Sequence, residues 1–96
     1  MFIISLTYIK PLEVVDQFIS AHSEYLNEQY RLGHFQLSGR KEPRTGGVII
    51  ATVESRGVLE NILAQDPFYR EKVASYDVTE FVPSRSSEAL AFLVPQ

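Results

Sequence analysis

Residues 11–33 read PLEVVDQFISAHSEYLNEQYRLG, and this stretch decides the architecture. At 100° per residue, Val14, Val15, Phe18, Ile19, Ala21, Tyr25, Leu26, Tyr30 and Leu32 share one side of a helix. Asp16, Gln17, Ser20, Ser23, Glu24, Asn27, Glu28 and Arg31 fill the other. Pro11 suits the first turn, where a missing N–H costs nothing, and Gly33 supplies the left-handed residue that closes the helix. The spacing predicts one amphipathic helix over residues 12–32. His22 falls near the middle of its apolar side, with Gln29 almost beside it. An imidazole buried there costs free energy unless it finds a hydrogen-bond partner. It is therefore either a satisfied structural histidine or one whose proton chemistry is in use.

The segments on either side of this helix read as strands. Residues 2–9 alternate Phe2, Ile4, Leu6 and Tyr8 against Ile3, Ser5, Thr7 and Ile9, so neither face is wholly polar. Phe35 to Ser38 forms a second strand, and Val48 to Val53, nearly all apolar and β-branched, a central third. Ser55 caps a helix over Arg56 to Ala64. Asp66-Pro67-Phe68 opens a further turn to about Lys72, with an Asp cap and proline at the first helical position. Tyr76 to Val82 is the last strand, ended by Pro83. The order β-α-β-β-α-β predicts a single ferredoxin-like α+β domain over residues 1–83, with helices on one face of a four-stranded antiparallel sheet. The partly apolar open face invites a second copy, so a homodimer through that face is expected. Residues 84–96, apolar at Leu90, Phe92, Leu93 and Val94, are expected to pack on the domain or on the partner.

Ninety-six residues, 45% of them apolar, fit one folded domain with a limited core. With no cysteine there is no disulfide, no thiolate metal site and no cysteine nucleophile. A net charge of −3 gives no general attraction to nucleic acid. No signal-peptide layout and no run of membrane-spanning length is visible, so cytoplasmic residence without membrane partners is the default expectation. The local exception in charge is Arg40-Lys41-Glu42-Pro43-Arg44, which precedes Thr45-Gly46-Gly47 and reads first as a solvated hairpin connection. It is also a plausible clamp for an anionic ligand.

His22 and His34 are the side chains with reference pKa values closest to neutrality. His34 follows Gly33 in a turn and reads as a solvated linker residue. A general base at His22 needs a polar partner to fix its tautomer and access to a substrate. Asp66 is the leading partner candidate: one carboxylate oxygen can cap a helix while the other faces an imidazole. Ser38-Gly39 is a turn signal that can also hold a substrate oxygen. Tyr8 ends its strand near the same rim. Two isolated histidines make a poor ligand set, so neither a metal nor another cofactor is expected.

Taken in order, several pieces carry a resemblance. They are Met1 to Tyr8, Ala21-His22 with Tyr25-Leu26, Gly33-His34-Phe35, Ser38-Gly39, Pro43 to Gly47, Asp66-Pro67-Phe68 and Glu80-Phe81. Over residues 1–85 the chain resembles the YCII-related (YciI-like) family. That resemblance implies a ferredoxin-like fold dimerising as an α+β barrel, similar in architecture to muconolactone isomerase. It also implies a pocket in which a histidine and an aspartate meet, here His22 and Asp66, with Ser38 and Gly39 lining it. A related group acts on chlorinated hydroxyquinones as a dehydrochlorinase.

Two functions are compatible with these residues. The first is a cofactor-independent isomerase or lyase acting on a small cyclic or phenolic metabolite. In it, His22 moves the proton, Asp66 orients the imidazole, Ser38 and Gly39 bind oxygen, and Tyr8 or Arg44 places an anionic substrate. The second is a non-enzymatic small-molecule-binding or accessory protein with the same pocket.

Overall fold

A computed structural model describes residues 1–95. Strand β1 (Phe2–Tyr8) leads into helix α1 (Leu12–Arg31), then strands β2 (Phe35–Arg40) and β3 (Gly46–Ala51). Helix α2 (Arg56–Leu63), the one-turn helix α3 (Pro67–Arg70) and strand β4 (Ala74–Glu80) follow. The sheet order is β2-β3-β1-β4, every pair antiparallel, so the ferredoxin-like elements stand in their expected order.

Strand ends differ from the sequence reading because pairing, not composition, sets them. β3 starts two residues early: Gly46 and Gly47, apolar only by default, pair with Thr7 and Leu6. β4 runs over residues 74–80 because Ala74 pairs with Tyr8 and Glu80 with Phe2. Gly33 closes α1 at φ +80°, and the His34 N–H reaches back to the Gln29 carbonyl at 2.9 Å. His34 itself is not a solvated linker residue: its Nδ1 lies 2.7 Å from the side-chain oxygen of buried Gln29.

The core lies between the sheet and the helices. Phe2, Ile4 and Leu6 of β1 join Ile49 and Ala51 of β3, Val15 and Tyr25 of α1, Leu59, Ile62 and Leu63 of α2, and Phe68 of α3. On the opposite sheet face, the register places Leu37, Val48, Ile50 and Ile3 at the β2–β3 side and Ser75, Asp77 and Thr79 along β4.

The expected dimeric α+β barrel is corrected by this arrangement. The sheet is open, β2 and β4 are unpaired edges on opposite sides, and four strands are too few to close on themselves around a packed interior. Nor does the chain establish the expected homodimer: only the β2–β3 half of the outer face is apolar. Beyond Pro83, a 3-10 turn at Glu88–Leu93 buries none of its residues, and Gln96 lies outside the described residues. No described helix is long and apolar enough to cross a membrane.

One close approach fixes the β1–β3 pair. A Cβ on Gly46 would stand 1.8 Å from the Leu6 carbonyl oxygen and 2.7 Å from its carbon. Both are backbone atoms of a central strand and cannot step aside. Gly46→Ala is expected to cost roughly 1–3 kcal/mol, in the range of overpacking substitutions. A lowered midpoint in urea with an unchanged slope checks this.

Candidate active site

Helix α1 turns His22 toward the sheet, between Ile19 and Leu26, one turn before the buried Tyr25 packs on the core. The residue that meets it comes from 44 positions further along the chain. Asp66 ends the turn after α2 and caps α3: its Oδ1 accepts the Phe68 N–H at 3.0 Å, and Pro67 occupies the first helical position. Because α3 packs against α1, the same Oδ1 lies 2.8 Å from His22 Nδ1. The other oxygen, Oδ2, accepts the Tyr76 hydroxyl at 2.6 Å from β4. Asp66 is fully buried, and no buried side-chain polar atom among the described residues lacks a partner. The Phe68 N–H and the Tyr76 hydroxyl both donate to Asp66, and an ionised carboxylate can only accept, so with Asp66 as the carboxylate Nδ1 carries the hydrogen of the His22–Asp66 bond.

Phe68 holds the imidazole from its face. The two rings are parallel within 5° with centroids 4.0 Å apart, and Tyr8 meets Phe68 edge-on at 5.9 Å. Asp66 at the ring edge and Phe68 at the ring face leave the histidine little freedom to swing. Nε2 has no protein hydrogen-bond partner among the described residues. Since no buried polar atom is unsatisfied, that nitrogen keeps contact with solvent even though the side chain is only 13% exposed.

Nε2 belongs to a side chain lining a cavity of about 190 Å³ between α1 and the sheet. Leu6, Ile49, Ile19, Leu26 and Phe68 form its apolar walls; Tyr8, Ser38, Gly39 and Arg40 bring polar groups to it. Gly47 pairs with Leu6 and Arg40, so the floor beside them carries no side chain. The Ser38 hydroxyl bonds the Tyr30 hydroxyl of α1, which fixes its position at the wall.

The structure thus brings His22, Tyr8, Ser38 and Gly39 around one hollow, with Asp66 behind the imidazole. Arg44 is not among the lining residues. Its guanidinium bonds Asp16 of α1, and that hydrogen bond, with Asp16's charge and a smaller contribution from Tyr8, raises it above the ordinary arginine value. Arg40 of the same basic run lines the cavity: it pairs with Gly47 on the cavity side of β2, and its Nε donates to the exposed Glu42. Tyr76 and Phe68 were not singled out as site residues from sequence. For Phe68 the signal was present, because it follows the Asp-Pro cap. For Tyr76 it was weak, since strand alternation reports a face and not a partner.

Burial, with the Asp66 charge adding to it, pushes the Tyr25 phenol well above its ordinary value. Burial also pushes up Tyr76, followed by the charge of Asp66 and their hydrogen bond. Both therefore stay protonated donors: Tyr76 to Asp66, and Tyr25 to the Ile62 carbonyl at 2.9 Å. Among the described residues no group of three or more His, Cys, Asp or Glu side chains converges as metal ligands.

No curated protein sequence matches the chain. Among solved structures it is similar to the 5-chloro-2-hydroxyhydroquinone dehydrochlorinase of Burkholderia phenoliruptrix AC1100 in complex with 2,5-dihydroxybenzoquinone. The two share 20% sequence identity with a TM-score of 0.70, over 84% of this chain and 93% of that one. At this identity the likeness speaks for the fold. The model of the YCII-related domain matches residues 1–82, and the chain belongs to the YCII-related family.

Proposed function

We propose that the protein is a cofactor-independent enzyme of lyase or isomerase type that moves a proton on a small phenolic or quinone-like ring. The observation that carries this reading is the His22–Asp66 bond at 2.8 Å on a histidine that lines a cavity and whose Nε2 has no protein partner among the described residues. Fixing hydrogen on Nδ1 makes Nε2 the basic nitrogen, and the buried carboxylate stabilises the imidazolium that forms when Nε2 takes a proton. The apolar walls suit a flat ring, while Ser38, Gly39, Tyr8 and Arg40 bring polar groups to its oxygens. The similar fold of a dehydrochlorinase solved with a dihydroxybenzoquinone supports the substrate class. In an elimination of this type His22 Nε2 accepts the proton and the ring expels chloride, so hydrogen chloride is lost with no change of oxidation state.

The test is chloride release from 5-chloro-2-hydroxyhydroquinone, with 2,5-dihydroxybenzoquinone as the binding probe. His22→Gln keeps a side-chain N–H for Asp66 but offers no basic nitrogen. It is expected to retain binding of the probe and to lower the rate by about 100-fold or more. Equal rates in the two proteins would remove His22 from the chemistry. Failure of the parent protein both to release chloride and to bind the probe would remove this substrate class.

A further inference from the structure

We propose that Tyr76 is a positioning residue that sets how strongly Asp66 draws on the His22 imidazole. Asp66 is shielded from water, so its charge is shared only among protein donors. Oδ1 divides itself between His22 Nδ1 and the Phe68 N–H, at 2.8 and 3.0 Å. Oδ2 receives the Tyr76 hydroxyl at 2.6 Å, the shortest of the three bonds. Donors on one carboxylate compete: each draws charge from the group and weakens its attraction for the others. The phenol is thus placed to moderate the carboxylate behind the imidazole.

The surroundings leave this role to Tyr76. It stands on β4 opposite Leu6, while Asp66 belongs to the start of α3 and His22 to α1, so one chain of bonds ties three elements. Tyr76 does not line the cavity that His22 lines, and it acts on a bound ring only through Asp66. The other titratable groups around the pair have separate duties. Tyr25 of α1 donates to the Ile62 carbonyl, and Tyr69 of α3 stands edge-on to Tyr76 with centroids 5.3 Å apart. Tyr8 of β1 and Arg40 of β2 line the cavity. No lysine or arginine bonds Asp66 among the described residues, so its negative charge is balanced by hydrogen bonds alone.

The catalytic meaning of this coupling rests on the proton-transfer reading above, but the coupling is measured without turnover. The His22 Nδ1–H resonance is the probe, followed by proton and nitrogen NMR in the ligand-free protein. Tyr76→Phe removes the competing donor, and the resonance is expected to move downfield as the bond to Asp66 strengthens. Site-specific replacement of Tyr76 by 3-fluorotyrosine, nearly the same size with a more acidic phenol, is expected to move it upfield. The fluorinated protein keeps the test available if Tyr76→Phe does not fold. Opposite displacements support the proposal. A resonance that stays in place in the fluorinated protein, or moves the same way in both, overturns it and leaves Tyr76 a packing residue. A parent protein that fails to release chloride would count against the substrate and not against this coupling.

Discussion

Asp66→Ala is expected to cost roughly 3–5 kcal/mol of folding stability, the range seen when a buried, hydrogen-bonded charge is deleted from its partners. The substitution strands three donors at once: the Phe68 N–H, the Tyr76 hydroxyl and His22 Nδ1–H. Loss of the cap of α3 accounts for about 1 kcal/mol of this. The remainder comes from buried groups left without acceptors, at about 1–3 kcal/mol each where water cannot reach them. A domain of this size has a total stability of about 5–15 kcal/mol, so Asp66→Ala brings it close to the threshold of folding. Urea unfolding of the two proteins measures the difference. Asp66→Asn separates the carboxylate's two duties. Its side-chain oxygen still accepts at the cap and its amide can face the Tyr76 oxygen, so it should unfold much closer to the parent. It lacks the negative charge that holds the imidazolium, so its activity should fall as far as that of His22→Gln. An Asp66→Ala protein as stable as the parent would show that the three bonds contribute nothing net.

How far this site was legible follows from what each residue's spacing encodes. The 3.6-residue period of α1 marks His22 as an oddity among apolar neighbours, and Asp before Pro marks a helix cap; both are local signals. That a cap oxygen and the imidazole share a bond is tertiary information. It comes from the packing of α3 against α1, and the family resemblance anticipated it where periodicity alone did not. Arg44 is the member of the basic run expected to place an anionic substrate, yet nothing in the run itself distinguishes it from Arg40. The register of β2 against β3 separates them, because Arg40 pairs with Gly47 on the cavity side and Arg44 falls in the connection, where Asp16 takes it. His34 looked solvated because it follows a glycine stop. The C-terminal closure of α1 turns it back onto Gln29, which explains how a buried glutamine is tolerated. The dimeric α+β barrel is an architectural expectation that failed: the chain supplies an open four-stranded sheet with β2 and β4 at its edges, and sequence patterning within it says nothing of closure.

Alkali is expected to unfold this protein steeply above pH 10, through Tyr25 and Tyr76. In the unfolded chain both phenols release their protons near the ordinary value of 10.0; in the folded chain burial holds those protons to much higher pH. Above pH 10 the folded state therefore binds more protons than the unfolded state, and stability falls as pH rises. The stabilising effect is fully present below pH 10. Each phenol contributes a slope of about 1.4 kcal/mol per pH unit, so the pair removes roughly 5 kcal/mol by pH 12. That loss is comparable with the whole stability of a small domain. The signature is loss of circular dichroism together with a cooperative rise in tyrosinate absorbance, both at the same pH. Tyr25→Phe removes one of the two phenols without touching Asp66 and should roughly halve the slope of stability against pH. Gradual ionisation of all five tyrosines while the fold persists would mean that Tyr25 and Tyr76 are reached by water, and that the hydrogen-bonded interior behind His22 is less closed than its geometry requires.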